Sequence, residues 1–203
     1  GEFETGVHRF ADGALELSLL REDHGNAATV SGQLRNRGAS PVFVEGVEFS
    51  FVFDGHGHED LRFLRHGWQS WSPTGVRTLD SAGEAAFPSG SWLRGMYHSQ
   101  GEGRPGWHES ETLTVVGGTA SGPFCLVGAL ETGRQFGVLR LRPGPRADRG
   151  HRVEIGLELR LEVALEPGET RELEAFRVAL GEEVNPLLER FAELWGTVGG
   201  ARR

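Results

Sequence analysis

Residues 153–165 carry the pattern that most restricts how this chain can fold. Every odd position in the stretch is apolar, from Val153 through Leu159 to Leu165, and most even positions between them are Glu or Arg. Side chains alternate between the two faces of a β-strand, whereas an α-helix would scatter these apolar residues around its surface. The stretch is therefore predicted to be a half-buried strand, or two strands divided by a bend, with one face on a core and one in water.

Weaker alternation or apolar runs recur along most of the chain, and turn-forming pairs such as Asp54-Gly55 and Pro167-Gly168 separate them. These further candidate strands are residues 14–20, 29–34, 42–53, 61–64, 112–116, 124–130, 136–141 and 172–180. Many short strands with turns at modest intervals are typical of a sandwich or barrel. Residues 74–106 are the least periodic and are predicted to form long loops with a short strand near Trp92. The fold class is therefore predicted to be all-β, a large antiparallel β-sandwich.

The period changes only near the carboxyl end, where the sequence predicts one α-helix over residues 184–198. Asn185 suits the cap of a helix, Pro186 its first position and Gly196 its exit. The apolar residues between these signals form a single stripe: Leu187, Leu188, Phe191, Leu194 and Trp195. The prediction is thus a sandwich with one carboxy-terminal helix, which would bracket the sandwich to whatever follows.

Charge and composition exclude several classes of protein. The formal net charge is −8, with 21 basic and 29 acidic residues, which argues against nucleic acid as a partner because phosphates require concentrated positive charge. No stretch approaches the roughly 20 apolar residues of a membrane span, and residues 1–3 do not resemble a signal peptide, so a cytoplasmic location is expected. The single cysteine, Cys125, is expected to be a buried, inert thiol. Arg140 and Arg142 share one face of a candidate strand and are expected to be solvated.

The most individual segment runs from His66 to Gly75 and contains two tryptophans three positions apart, Trp68 and Trp71. The setting is polar and rich in turn residues, with an amide and a hydroxyl side chain between the two indoles. A flat indole face stacks on the C–H face of a sugar, so aromatic side chains beside amide and hydroxyl groups fit carbohydrate binding. The alternative interpretation is that both tryptophans plug the end of the sandwich.

The run Gly67-Trp68-Gln69-Ser70-Trp71-Ser72 resembles the W-Q-S-W motif of glycoside hydrolase family 36, the α-galactosidases and their relatives. The segment from Asn185 to Gly196 is similar to the helix that joins this family's amino-terminal domain to its barrel. The two motifs occur in the family's order and frame nearly the whole chain. The resemblance implies a domain organisation of three parts. These are a β-supersandwich over residues 1–183, a helix over 184–198 leading to a (β/α)8 catalytic barrel absent from this sequence, and a tail over 199–203.

The resemblance also implies which residues meet the substrate. Family members are retaining hydrolases with two aspartates on the barrel as nucleophile and acid/base, and such a pair must lie about 5–5.5 Å apart. The motifs that carry those aspartates do not occur in this chain, so no residue here is expected to be catalytic and no cofactor is expected. Trp71 corresponds to the residue that reaches the rim of the active site, and Trp68 to one that holds the loop. His66, a lesser substrate-binding candidate, stands where relatives often carry Asn, which puts in doubt the hydrogen bond that an amide would make there.

Other residues carry weaker chemical signals. His56 and His58 lie among carboxylates and could hold a divalent metal, but their position between two candidate strands indicates a solvated hairpin tip, and no metal is expected. Glu109 and Glu111 share one strand face and could form a carboxylate pair or simply an exposed edge. Three aromatic residues in the aperiodic region are interpreted as structural, with a rim or interface position as the alternative: Trp92, Tyr97 and Trp107.

Three hypotheses about function remain open at this point. In the first, the domain shapes the substrate pocket of its own α-galactosidase-like barrel, with Trp71 against an α-galactoside or related sugar. In the second, the chain is a free-standing sugar-binding module of the lectin type. In the third, the sandwich mediates homo-oligomerisation, because Trp and Arg residues are enriched in subunit contacts. The first and third hypotheses are compatible with each other.

Overall fold

The computed structural model of the chain describes residues 6–10, 13–56, 60–67, 74–80, 106–119, 122–131, 133–144 and 150–199. These residues form twelve strands and one helix, and the strands make up two antiparallel sheets. The predicted all-β sandwich with one carboxy-terminal helix is confirmed.

The two sheets differ in size. In spatial order, the strands of the eight-stranded sheet are β1 (Gly6–Phe10), β2 (Leu15–His24), β3 (Ala27–Asn36), β12 (Thr170–Gly181), β9 (Phe124–Ala129), β8 (Leu113–Gly117), β5 (Arg62–Arg65) and β6 (Gly75–Thr78). Those of the four-stranded sheet are β4 (Val42–His56), β11 (Gly150–Leu165), β10 (Phe136–Pro143) and β7 (His108–Glu111). The larger sheet therefore has strands with no counterpart across the sandwich.

The stretch with the strict period of two is one continuous strand, β11. It pairs with β10 on one side and with β4 on the other, and a bulge between Arg160 and Val163 gives it one extra residue relative to β4. Glu162 has a φ of 47° within this bulge. Odd-numbered apolar residues of β11 pack on the core on both sides of the bulge. The bulge therefore absorbs the bend without dividing the strand.

The main hydrophobic core lies between the two sheets, and aromatic contacts cross it. Phe176 of β12 is almost fully buried, and its ring centroid lies 4.8 Å from that of Phe49 and 5.8 Å from that of Phe51, both on β4. Leu157 and Leu159 of β11 are fully buried in the same cluster. Burying each such side chain contributes about 1.5–3 kcal/mol, so this layer stabilises the pairing of the sheets.

Thr112 is the corner at which the chain passes from the four-stranded sheet to the eight-stranded one, between β7 and β8. Its N–H donates to the carbonyl of Gly137 on β10 at 2.9 Å, and its own carbonyl accepts from the N–H of Ala129 on β9 at 2.7 Å. Its φ of 65° is left-handed, a conformation that costs a threonine about 1–2 kcal/mol. Hydrogen bonds to both sheets hold the corner in place, as expected where a strand switches sheets.

Helix α1 (Val184–Val198) packs on the outer face of the eight-stranded sheet, against β12 and β9. Its buried residues are Leu187 and Phe191, which belong to a second hydrophobic cluster outside the sandwich. A Cβ atom at Gly128 of β9 would lie 2.6 Å from the Phe191 ring. The missing side chain at position 128 therefore makes the space that the Phe191 ring occupies.

Helix α1 spans Val184–Val198, but the residues predicted to mark its ends do not lie at them. Its N-cap is Glu183, which makes no side-chain cap hydrogen bond, and Asn185 lies inside the first turn. Gly196 lies within the helix, which continues to Val198 and is followed by Gly199. The predicted cap and exit are therefore wrong, because packing of the apolar stripe on the sheet outweighs the local end signals.

Strands also occur where the sequence predicted none. β1 and β6 are the outermost strands of the eight-stranded sheet, and three of the four β6 residues are exposed, so neither buries enough to show a clear alternation. β6 lies within the region predicted to be loop, whereas Trp92 is outside the described residues. The hairpin predicted at residues 54–60 is wrong, because β4 and β5 belong to different sheets and the connection crosses between them.

The fold bears on two further expectations, one about the cysteine and one about membrane-spanning helices. Cys125 is buried on β9, and burial raises the pKa of its thiol to about 12, in line with the predicted inert thiol. In the part of the chain that the structure describes, no helix has the length and apolar character needed to cross a membrane.

Candidate functional site

The W-Q-S-W motif lies between strands β5 and β6. Among the predicted site residues, His66 directly follows β5, and Trp68 and Trp71 lie outside the described residues. His66 is therefore the predicted site residue whose contacts define how the motif is attached to the sandwich.

The two ends of the motif are held together at its base. Arg65, the last residue of β5, pairs with Gly75, the first residue of β6. Inside this strand pair, the N–H of Gly67 donates to the hydroxyl oxygen of Thr74 at 3.1 Å. Residues 66–74, called the β5–β6 loop below, therefore leave and rejoin the sheet at one closed point.

The main chain of His66 is bonded to the end of β7. Its N–H donates to the hydroxyl oxygen of Ser110 at 2.8 Å. Its carbonyl accepts from the N–H of Glu111, also at 2.8 Å. Both polar groups of the His66 backbone are thus satisfied by residues 44 and 45 positions away in sequence, which fixes where the β5–β6 loop begins.

The imidazole of His66 adds a third bond to the same segment. Its Nδ1 lies 2.8 Å from the carbonyl oxygen of Glu111 and 3.0 Å from the hydroxyl oxygen of Thr112. A carbonyl oxygen can only accept, so Nδ1 must carry the hydrogen and the neutral ring presents its lone pair at Nε2. The ring therefore makes a donor bond of the kind that an amide side chain could make at this position.

Buried hydroxyl groups complete this arrangement. The hydroxyl of Ser110 donates to the carbonyl of Leu113 at 2.6 Å while accepting from His66, and the hydroxyl of Thr114 donates to the carbonyl of Leu64 at 2.9 Å. Ser110, Thr112 and Thr114 are each 1% exposed or less. These residues were not predicted from the sequence, because alternating Glu and hydroxyl residues resemble an exposed strand edge. The hydroxyl side chains at every second position are the pattern that could have indicated them.

Arg140 lies on the outer face of the four-stranded sheet but is not solvated. Its side chain is 7% exposed and forms ion pairs with Glu109 at 3.2 Å and Glu158 at 2.5 Å. Burial by itself lowers the pKa of Arg140, but the hydrogen bond and charge of Glu158, and then Glu109, raise it above its ordinary value. The expected solvated face is therefore wrong for Arg140, and Glu109 is engaged with this cation.

Trp107 precedes β7 on the same side of the sheet as Arg142. The Arg142 guanidinium lies 4.5 Å from the centroid of the Trp107 ring and donates from Nε to Glu154 at 2.7 Å. This cation–π contact gives Trp107 a packing role, in agreement with its interpretation as a structural residue. Trp92 and Tyr97 lie outside the described residues.

The similarity of this chain to known proteins lies in its fold. No protein-family model and no curated protein matches the chain. Two solved structures of variants of the GH36 α-galactosidase AgaA from Geobacillus stearothermophilus match it with TM-scores of 0.54 and 0.53, at 12% sequence identity. One of them is a complex with stachyose and the other a complex with raffinose. Each match covers 89% of this chain and 24% of the α-galactosidase chain.

The chain has the fold of part of a GH36 α-galactosidase. It spans about a quarter of the length of that protein, and an identity of 12% establishes the fold alone. The β-sandwich fold implied by the W-Q-S-W resemblance is thus confirmed by structural similarity. We refer to the two sheets and α1 together as the GH36-like sandwich.

The GH36-like sandwich also contains an open apolar groove of about 1200 Å³. The groove lies between β4 and the strands β1 and β2, and Leu15, Leu19 and Phe51 contribute to its wall. None of its described lining residues belongs to β5, β6, β7 or β8. The groove therefore lies apart from the described ends of the β5–β6 loop, and the W-Q-S-W resemblance makes that loop the candidate site.

The candidate metal ligands of the GH36-like sandwich do not come together among the described residues. Asp54 accepts from Nε of Arg152 at 3.0 Å, and His58 lies outside the described residues. Within the described ranges, no group of three or more His, Cys, Asp and Glu side chains is placed to hold a metal ion. The ion pair with Arg152 accounts for the Asp54 carboxylate without a metal.

Proposed function

We propose that this chain is the non-catalytic amino-terminal domain of an α-galactosidase-like retaining glycoside hydrolase of family 36. One coincidence carries the proposal: the W-Q-S-W run lies between two paired strands, β5 and β6, of a sandwich that has the fold of part of a GH36 α-galactosidase. The sequence motif and the fold both point to the same family.

The proposed domain organisation is the one that the W-Q-S-W resemblance implies. Residues 1–183 form the sandwich, residues 184–198 form the helix that leads to a (β/α)8 catalytic barrel, and residues 199–203 are a tail. The barrel supplies the two aspartates of a retaining mechanism, which needs carboxyl groups about 5–5.5 Å apart. On this chain, the carboxylates of Glu109 and Glu158 are ion-paired with Arg140, which suits a structural role rather than acid or nucleophile chemistry.

The proposed role of the β5–β6 loop is to close one side of the substrate pocket. Trp71 contacts the sugar, an α-galactoside or related glycoside, and Trp68 holds the loop. A stacked indole excludes water from the sugar and orients it, and both effects assist carboxylates that act on a neighbouring domain. The hydrogen bonds at the base of the loop support this role, because a wall of a binding site has to be held in a fixed place.

Replacing Trp71 by alanine in the complete enzyme should lower kcat/KM for raffinose by about tenfold or more, because a lost sugar contact of about 1.4 kcal/mol is a factor of ten. Steady-state kinetics with raffinose and with an aryl α-galactoside measures the effect. Trp195→Phe is the matched control, since Trp195 is on α1 and packs near Phe191. The control should stay within about twofold of the wild type. Unchanged kinetics for Trp71→Ala would remove Trp71 from the substrate pocket.

A free-standing sugar-binding module is the second candidate function. One observation favours it: the described bonds at the base of the β5–β6 loop all come from within this chain, from Thr74 and from residues 110–112. Such a loop keeps its attachment without a barrel. This candidate predicts that the isolated chain shows a saturable change in tryptophan fluorescence with raffinose, and that Trp71→Ala abolishes the change.

A further inference from the structure

We infer that His66 is a positioning residue: it ties the start of the β5–β6 loop to the corner at residues 110–112 and does not contact the sugar through its ring. The kinetic consequence of this inference rests on the proposed function, whereas the structural consequence does not. The corner between β7 and β8 thereby sets where the β5–β6 loop leaves the sheet.

His66 is bonded to one short segment through both its backbone and its ring. Its N–H, its carbonyl and its Nδ1 are all bonded to the segment from Ser110 to Thr112, each at 2.8 Å to its first partner. The Nδ1–H bond to the Glu111 carbonyl is available whether the ring is neutral or protonated, because Nδ1 carries a hydrogen in both forms. The attachment therefore does not depend on the charge of the imidazole.

The corner at Thr112 is held in a fixed position by both sheets. Thr112 is 1% exposed, and its backbone is bonded to β10 of one sheet and to β9 of the other. A left-handed threonine persists only where its surroundings over-determine it. A loop bonded to this corner is consequently held in place relative to both sheets, rather than relative to β5 alone.

Some side chains at position 66 could replace the imidazole and others could not. In asparagine, as in histidine, a nitrogen that bears a hydrogen is attached directly to Cγ, so Asn at position 66 can donate to the Glu111 carbonyl. Alanine cannot donate and leaves that carbonyl without the bond. A positioning role therefore tolerates His66→Asn but not His66→Ala, whereas a sugar contact through the ring tolerates neither.

The experiment compares His66→Ala, His66→Asn and His24→Ala in the complete enzyme and in this chain. With raffinose, His66→Ala should raise KM so that kcat/KM falls about tenfold, and His66→Asn should stay within about threefold of the wild type. His24→Ala is the matched control: it makes the same substitution at an exposed histidine of β2, whose partner Glu22 is also exposed, so its effect should be small. Equal losses in both His66 variants would overturn the inference, as would no loss in His66→Ala.

A readout independent of activity separates this inference from the proposed function. In ¹H–¹⁵N spectra of this chain, the His66 ring should show the Nδ1–H tautomer. Hydrogen exchange at the Gly67 amide should quicken at least tenfold in His66→Ala but little in His66→Asn. If Trp71→Ala is kinetically silent while these spectra hold, the proposed function fails and the positioning inference stands. An Nε2–H tautomer or unchanged exchange in His66→Ala would overturn the positioning inference itself.

Discussion

Replacing Phe191 by alanine is expected to lower the free energy of unfolding of this domain by about 3–5 kcal/mol, the usual cost of removing a buried phenylalanine. Phe191 is 3% exposed and is one of the two buried residues of α1, so its loss removes a main contact of the helix with β9 and β12. Urea unfolding followed by circular dichroism measures the change. Glu189→Ala is the matched control, because Glu189 is an exposed residue of the same helix and should cost about 0.5 kcal/mol or less.

A double-mutant cycle with Gly128→Ala tests the packing behind this expectation. In the wild type, a Cβ at position 128 would lie 2.6 Å from Phe191, so Gly128→Ala should destabilise by about 1–3 kcal/mol. In the Phe191→Ala background the ring is gone and the same change should be close to neutral. The two substitutions should therefore be non-additive by at least about 1 kcal/mol. Strict additivity would contradict the placement of α1 on β9.

Replacing Arg140 by methionine is expected to cost about 3–5 kcal/mol of stability, because it leaves two carboxylates, Glu109 and Glu158, without their buried cation. Those side chains are only 14% and 22% exposed, so water compensates little. Since the pKa of Arg140 is raised above its ordinary value, the guanidinium keeps its charge, and with it the stabilisation, at neutral and mildly alkaline pH and loses both only at strongly alkaline pH. The difference in stability between wild type and variant should therefore be the same at neutral and mildly alkaline pH.

Arg142→Met is the matched control for Arg140→Met. Arg142 lies two residues further along the same strand face, but its side chain is 45% exposed and its partner Glu154 is 31% exposed. Its loss should cost about 1 kcal/mol or less, including the contact with Trp107. Chemical unfolding of both variants at neutral and mildly alkaline pH makes the comparison. Similar losses for the two arginines would contradict the assignment of Arg140 to a buried ion cluster.

The sequence predicted the architecture where burial is one-sided. Strand β11 was predicted from its strict alternation, because one face packs on the core and the other bears charge. The stripe on α1 was predicted for the same reason. Edge strands β1 and β6 were missed, since a strand paired on one side and mostly exposed imposes little pattern on its residues.

For the candidate site, the sequence predicts residues but not how the loop is attached. The W-Q-S-W run makes Trp71 and Trp68 the predicted site residues, whereas the partners of His66 lie 44 to 46 positions away, on β7 and at the Thr112 corner. Such long-range bonds leave no local pattern in the sequence. The burial of Arg140 was missed on similar grounds, because alternation places a residue on a face without showing what covers that face.

The most direct test of the proposed function is to read the coding sequence of the source beyond the codon for Arg203. The proposal predicts that the frame continues into a (β/α)8 barrel that carries two aspartates suited to a retaining mechanism. Expression of that complete product should then give α-galactosidase activity. A stop codon directly after Arg203 would contradict the proposal and bring the fluorescence titration of the isolated chain with raffinose to the front.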